Sequence, residues 1–269
     1  MNKVEPQQDW PASWKYSYPY DQQEIYDQIT DHGYAYAYRN RRDSTIQMVQ
    51  EVVPEGGRIL DMAGAQGNFS LALAELGYDV TWNDLREDLV DYVKLKHEKG
   101  NLSFAPGNAF ELEFEQPFDC VVATEIIEHV AHPDDFLRKL ANLVRPGGYV
   151  VLTTPNGAYF RNVLPRFSDC ENPEAFEDVQ FQPNSDGHIF LMWPDELETL
   201  AEQAGLKIDR LGLFTNPLTN GHLKTAKLLK ILPEGVVRGI ESMVQVMPKQ
   251  LTKRFMVHAG ARYQRPAAA

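Results

Sequence analysis

Residues 58–77 read RILDMAGAQGNFSLALAELG. Ile59, Leu60 and Met62 give a short apolar run, Ala63 to Gly67 a turn of small residues, and Asn68 onward a helical pattern. A strand, a tight turn and a helix start in that order present backbone N–H groups to a ligand at the strand's carboxyl end. Gly64 and Gly67 can adopt backbone angles closed to other residues, and their missing side chains allow close approach. The next apolar run, DVTWND at 79–84, ends in Asp84, 20 residues beyond Gly64. An acid at that position accepts hydrogen bonds from ribose hydroxyls.

Outward from this unit, short apolar runs alternate with helical patterns. The runs are RILDMA (58–63), DVTWND (79–84), LSFA (102–105), FDCVVAT (118–124), GYVVLTT (148–154) and LKIDRLGLF (206–214). Helices are expected near 68–76, 86–98, 134–144 and 195–204. Pro133 and the RPGG that follows supply the third with a start and a stop. Pro194, Asp195 and Glu196 suit the first turn of the fourth. The alternation predicts an α/β fold with a doubly wound, mostly parallel sheet.

Three regions fall outside this pattern. Residues 1–50 are aromatic-rich, and the period-two spacing of Tyr34, Tyr36 and Tyr38 reads as a cap strand, with an aromatic lid over an acceptor as the alternative. Residues 155–187 lack periodicity, and long loops of this kind are commonly functional. They leave the fifth strand where ligands bind, so Asn156, Tyr159, Phe160 and Arg161 are expected acceptor contacts. Residues 215–252 contain a basic amphipathic stretch, after which FMVHAGARY (255–263) is compatible with a last strand returning to the sheet. The expected organisation is a cap at 1–50, a ligand-binding core at 51–214, a helical insertion at 215–252, and a final strand and tail at 253–269.

Composition narrows the function. The 269 residues are 43% hydrophobic and 24% charged, with a net charge of −12. That charge repels phosphate backbones and argues against nucleic-acid partners. No run approaches the roughly 20 apolar residues that span a bilayer, and MNKVEPQQDW lacks a signal peptide's apolar core. The two cysteines, Cys120 and Cys170, form neither a CxxC motif nor a disulfide framework. A soluble cytoplasmic protein is expected. Between His222 and Arg254, however, seven Lys/Arg stand against two acids. A basic amphipathic segment, 223–254, is suited to peripheral contact with a membrane surface, though such a segment is more often a cap helix with a solvated face.

Dinucleotides and S-adenosylmethionine both fit the loop and Asp84. A dinucleotide calls for G-x-G-x-x-G to cradle its pyrophosphate. Here Ala63 and Ala65 stand where two of those glycines would be. S-adenosylmethionine has no pyrophosphate and loses less by the exchange. Asp61, just before the turn, suits a ligand with an α-amino group better than one with phosphates.

The segments ILDMAGAQG, VTWNDL, GNAFEL, FDCVVATEIIEHV, LVRPGGYVVLTTPN and ELETLAEQAGL resemble, in order and spacing, the motifs of class I S-adenosylmethionine-dependent methyltransferases. The resemblance covers roughly residues 56–212. It is greatest to the branch of the ubiquinone-biosynthesis O-methyltransferases and the 3′-terminal small-RNA methyltransferases. It implies a seven-stranded sheet with a reversed final hairpin, FMVHAGARY being the inserted last strand. Asp61, Ala63, Gly64, Ala65 and Gly67 would then face the cofactor's methionine part, and Asp84 its ribose. Asn108 and Ala109 would lie beside the adenine, Thr124 under the sulfonium, and Arg42 (or Arg41) against the carboxylate. The family usually has glycine at the positions of Ala63 and Ala65.

ATEIIEHV at 123–130 ends the fourth apolar run in acids and a histidine. If the chain turns helical after Thr124, Glu125, Glu128 and His129 share one face. With His188, which follows the long loop, they make a mixed oxygen and nitrogen set suited to Mg²⁺, Mn²⁺, Fe²⁺ or Co²⁺. The resemblance supports such a divalent metal, which would fix an acceptor hydroxyl and lower its pKa. The alternatives are His129 or His188 as a general base, and Glu128 and His129 as polar pocket walls. His132 is expected at the surface, and His97, His222 and His258 carry no motif.

Transfer of a methyl group to a small-molecule acceptor, with an oxygen acceptor favoured, is therefore the expected activity. The rivals are methylation of a 3′-terminal RNA ribose and cofactor binding without turnover. An NAD-dependent oxidoreductase is a third.

Overall fold

The computed structural model describes residues 1–180, 187–245 and 248–267. Residues 181–186 of the expected long loop, 246–247 of the insertion and 268–269 of the tail lie outside them. Helices α1 (Ala12–Glu24) and α2 (His32–Gln50) precede strand β1 (Arg58–Met62). Then come α3 (Asn68–Glu75), β2 (Asp79–Trp82), α4 (Leu89–Lys96), β3 (Asn101–Phe104) and β4 (Phe118–Thr124). The second half holds α5 (Pro133–Leu143), β5 (Val144–Pro155), α6 (Pro194–Gln203) and β6 (Lys207–Phe214). Short helices α7 (Ala226–Leu229), α8 (Glu234–Gln245) and α9 (Lys249–Phe255) lead into β7 (His258–Gln264).

The seven strands form one sheet in the order β3-β2-β1-β4-β5-β7-β6. All neighbours are parallel except β7, which runs antiparallel between β5 and β6. The central strands are apolar on both faces, as a sheet covered on both sides requires. Ile59, Cys120, Val122 and Val151 pack with Met48 and Val49 of α2 and Leu73 of α3. Leu60, Val121, Val150 and Leu152 pack with Leu137 of α5 and Leu197 of α6.

The N-terminal segment differs from its expected strand. Tyr34, Tyr36 and Tyr38 lie in α2, started by Asp31, whose side chain accepts from the backbone N–H groups of Gly33 and Tyr34. Such a cap satisfies donors that a helix start leaves unpaired. On the helix Tyr34 and Tyr38 fall one turn apart on one side. The upstream aromatics pack on α4, with the rings of Trp14, Tyr18 and Tyr92 all 5.6–5.7 Å from Trp10.

A buried polar knot fastens this cap. Lys96 and Asp21 are both fully enclosed and 2.8 Å apart. Tyr92 Oη donates to Asp21 Oδ2 and Asn68 Nδ2 to Asp21 Oδ1. Lys96 Nζ also donates to Asn68 Oδ1. Removing one partner of a buried charge pair strands the other, whereas apolar replacement of both is far milder. Asp21→Asn is therefore expected to cost about 3–5 kcal/mol in urea unfolding, with most of it recovered in Asp21→Asn combined with Lys96→Met.

Candidate active site

The carboxyl ends of β1, β2, β4 and β5 converge on one edge of the sheet. Leaving β1, Ala63 and Ala65 take φ of 51° and 47°, and Gly67 takes 77°. Left-handed backbone costs an L-residue roughly 1–2 kcal/mol, which is why glycine is the usual occupant of such positions. The turn is held by Gly64 N–H on Asn83 O at 2.8 Å, Ala65 N–H on Asp84 Oδ2 at 2.9 Å and Trp82 Nε1–H on Ala65 O at 3.1 Å. A Cβ on Gly64 would stand 2.8 Å from Trp82 Cδ1, and one on Gly67 2.7 Å from Val93 Cγ1. Neither position has room for a side chain.

A cavity of about 610 Å³ opens over this turn, walled by Ala63, Gly64, Ala65, Asp84 and Thr124. Glu24, Tyr34, Tyr38 and Arg41 from the cap close its other side. An adjoining space of about 430 Å³ shares Ala63, Leu85 and Ile126 with it and is lined further by Asn108, Ala109 and Phe110. Asn108 is fixed there, Nδ2 donating to Glu111 and Oδ1 accepting from Phe110 N–H. His132, expected at the surface, also lines this space and stands 2.8 Å from Glu177.

Asp61 lies behind the turn and outside the cavity wall. Its Oδ2 accepts from Ser70 Oγ and its buried Oδ1 has no partner. Burial pushes its carboxyl up to about 7. Asp84 is 5% exposed; its Oδ1 accepts from the backbone N–H and Nε of Arg86. Of the two expected arginines, Arg41 lines the cavity while Arg42 turns to Asp43.

A third cavity, about 640 Å³, shares Tyr34, Tyr38, Arg41 and Glu125 with the first. Tyr159, Arg161, His188, His222 and His258 line it. Asn156 borders it too, but its Nδ2 is spent on the carbonyls of Lys253 and Met256. Phe160 faces away, stacked on Phe255. His222 and His258 were not signalled by any motif. His258 reaches the site because antiparallel β7 begins at the edge where β5 ends, Pro155 pairing with His258. Burial brings its imidazole down to about 4.

Three of the four expected metal ligands come together, and Glu125 stands outside the set. After Thr124 the chain does not continue as a regular helix: Glu125 takes φ of 54°, and only a 3-10 turn follows at Ile127–His129. Glu125 therefore leaves the shared face and meets Arg41 at 3.4 Å, with His258 at 3.7 Å. Glu128, His129 and His188 stay together, one ligand atom of each within 4.8 Å of the others. Octahedral cation sites with bonds of about 2.1 Å place opposite ligands about 4.2 Å apart, close to this span. Glu128 Oε2 accepts from Thr154 Oγ1, while Oε1 is buried without a partner. Burial, reinforced by Glu125, holds its carboxyl well above the usual range. His129 donates from Nδ1 to Gly187 O at 3.1 Å, which leaves the Nε2 lone pair for a ligand. A buried carboxyl oxygen without a partner, beside two imidazoles that each offer a lone pair when neutral, fits a divalent cation.

Residues 34–211 match a protein family described as a methyltransferase domain. Ubiquinone biosynthesis O-methyltransferase of Sinorhizobium fredii is 33% identical over 173 residues, 62% of this chain and 66% of that protein. The protein of that name from Hydrogenovibrio crunogenus is 30% identical over 180 residues, 65% and 72% of the two chains. The chain thus spans about two thirds of these curated relatives. An S-adenosylmethionine-dependent methyltransferase from Mesorhizobium loti shares the fold, with a TM-score of 0.54 at 15% identity over 83% of this chain and 96% of that one. With its small-residue turn, its acid closing β2 and its reversed last strand, this chain belongs to the S-adenosylmethionine-dependent methyltransferases.

Proposed function

We propose that the protein methylates a hydroxyl oxygen of a small-molecule acceptor, with divalent-metal assistance. The observation that carries this is the continuity of the cleft: Tyr34, Tyr38, Arg41 and Glu125 border both the space over the β1–α3 turn and the 640 Å³ cavity. The cofactor belongs over the turn, its ribose on Asp84, its adenine reaching into the adjoining 430 Å³ space beside Asn108 and Ala109, and its methionine end along Ala63, Gly64, Ala65 and Gly67. Thr124 lies beneath the sulfonium, and Arg41 takes the carboxylate. Asp61 supports the turn from behind. The acceptor belongs in the 640 Å³ cavity. The O-methyltransferase names of the relatives favour oxygen.

S-adenosylmethionine supplies a methyl group already activated on sulfur, so no acid is needed to release it. What remains is alignment of the acceptor and loss of its proton, alignment being the larger contribution. A cation held by Glu128, His129 and His188 would lower the acceptor's pKa. Glu125 sits beside that set as the partner of Arg41. The cap at 1–50 and the insertion at 215–252 shape the acceptor cavity around the 51–214 core, with 253–269 completing the sheet. A net charge of −12 disfavours RNA as the acceptor.

The insertion supports a peripheral membrane contact. Leu228 and Ile231 are exposed in the same stretch as the exposed Lys224, Lys227 and Lys230, and Met243 and Leu251 are exposed further along the insertion. Among the described residues no helix is long and apolar enough to cross a membrane.

Three measurements test this reading. Calorimetry with S-adenosylhomocysteine should show binding to the parent and about a tenfold or greater loss in Asp84→Ala, a charge-assisted contact being removed; equal affinity would sink the cofactor placement. Titration of Mn²⁺ into the S-adenosylhomocysteine complex should saturate one site in the parent and none in His129→Ala; matching isotherms would reject the metal. Vesicles of anionic lipid should sediment the protein at low salt and release it at high salt, and protein left in the supernatant at low salt excludes the membrane contact.

A further inference from the structure

Three acids line the cavity over the β1–α3 turn: Glu24, Asp84 and Glu125. Asp84 is matched by Arg86 and Glu125 by Arg41. Glu24, the last residue of α1, forms no ion pair among the described residues and is only 4% exposed. Its partners are neutral donors: Tyr34 Oη on Oε1, and Asn68 Nδ2 and Gln66 Nε2 on Oε2 at 2.7 and 3.1 Å. A carboxylate offers about four lone-pair sites, so at least one remains. Arg41 acts on Glu24 only at longer range, and burial raises its carboxyl above the ordinary value. An enclosed acid with three neutral donors and no cation is costly unless a ligand brings one.

Resting on the cofactor placement proposed above, we infer that Glu24 receives the α-ammonium group of the cofactor's methionine end, so that the cofactor closes the N-terminal cap. The two charges of that end then find opposite partners on the cap, the carboxylate at Arg41 of α2 and the ammonium at Glu24 of α1. Asn68 explains how the closure is transmitted. It opens α3 directly after the turn and donates to both Glu24 and Asp21, the latter locked to Lys96. Helix α1 is thus tied to the turn through Asn68 and, when cofactor is bound, through the amino acid itself. The adenosine half makes no demand on Glu24.

The competing role, a purely structural fastening of α1 to α3, treats all ligands alike, and two nucleosides separate them. S-adenosylhomocysteine carries the amino acid; 5′-methylthioadenosine has the same nucleoside and thioether without it. In calorimetry Glu24→Gln should bind S-adenosylhomocysteine about tenfold or more weakly than the parent, while 5′-methylthioadenosine binds both equally. The latter affinity also reports that the variant is folded. In the parent, amide exchange across residues 12–24 should slow with S-adenosylhomocysteine and not with 5′-methylthioadenosine. Unchanged S-adenosylhomocysteine affinity in Glu24→Gln, or equal weakening of both ligands, would overturn the inference while leaving the cofactor placement intact. A parent that binds neither nucleoside overturns the placement, and this inference with it.

Discussion

The left-handed turn between β1 and α3 is the constraint on which the site depends. Two alanines accept positive φ there, at a cost of about 1–2 kcal/mol each. The strain is offset by contacts that only the assembled sheet can supply. Asn83, Asp84 and Trp82 at the end of β2 bond the turn along its length, and Trp82 and Val93 fill the volume where side chains on Gly64 and Gly67 would stand. The turn is thus shaped by its neighbouring strand as much as by its own residues. Asp84 both bonds the turn and borders the cavity, so loop geometry and cavity wall depend on one carboxylate.

Charge is distributed around that turn by the elements that converge on it. Helix α2 delivers Arg41, which pairs with Glu125, while Glu128 close by has no cation partner among the described residues. Glu128 is left with two histidines and an unsatisfied oxygen. The Arg41–Glu125 pair thus borders both cavities, and Glu128 joins the histidines as a neighbouring cluster of ligand atoms. Antiparallel β7 adds His258 at the same edge, a residue that a wholly parallel sheet would have carried to the opposite end.

The cap is integral to the site. Its aromatic residues pack on α4, its buried acid Asp21 neutralises Lys96, and Glu24, Tyr34, Tyr38 and Arg41 form one wall of the ligand space. The cavity thus lies between the strand edge and a helical cap fastened through Asn68.

Local patterns announced the strands, the β1–α3 turn, Asp84 and α5, because period, small residues and helix start and stop signals act within a few positions of where they are written. The same locality misled at Tyr34, Tyr36 and Tyr38, whose alternation suits a strand but also sets Tyr34 and Tyr38 one helical turn apart once Asp31 caps α2. Adjacent Arg41 and Arg42 are indistinguishable by sequence, since only the packing of α2 decides which faces the cavity. Glu125 left its expected face because ion pairing with a distant helix and a positive φ outweighed continuation of a regular turn. Glu24, His222 and His258 carry no motif, because their roles come from contacts between segments far apart in the chain. The sequence by itself determined a doubly wound sheet with a nucleoside-binding edge, through short-range periodicity and backbone freedom. Tertiary structure alone decided which charges meet, because electrostatic partners are chosen by distance in space and by shared burial.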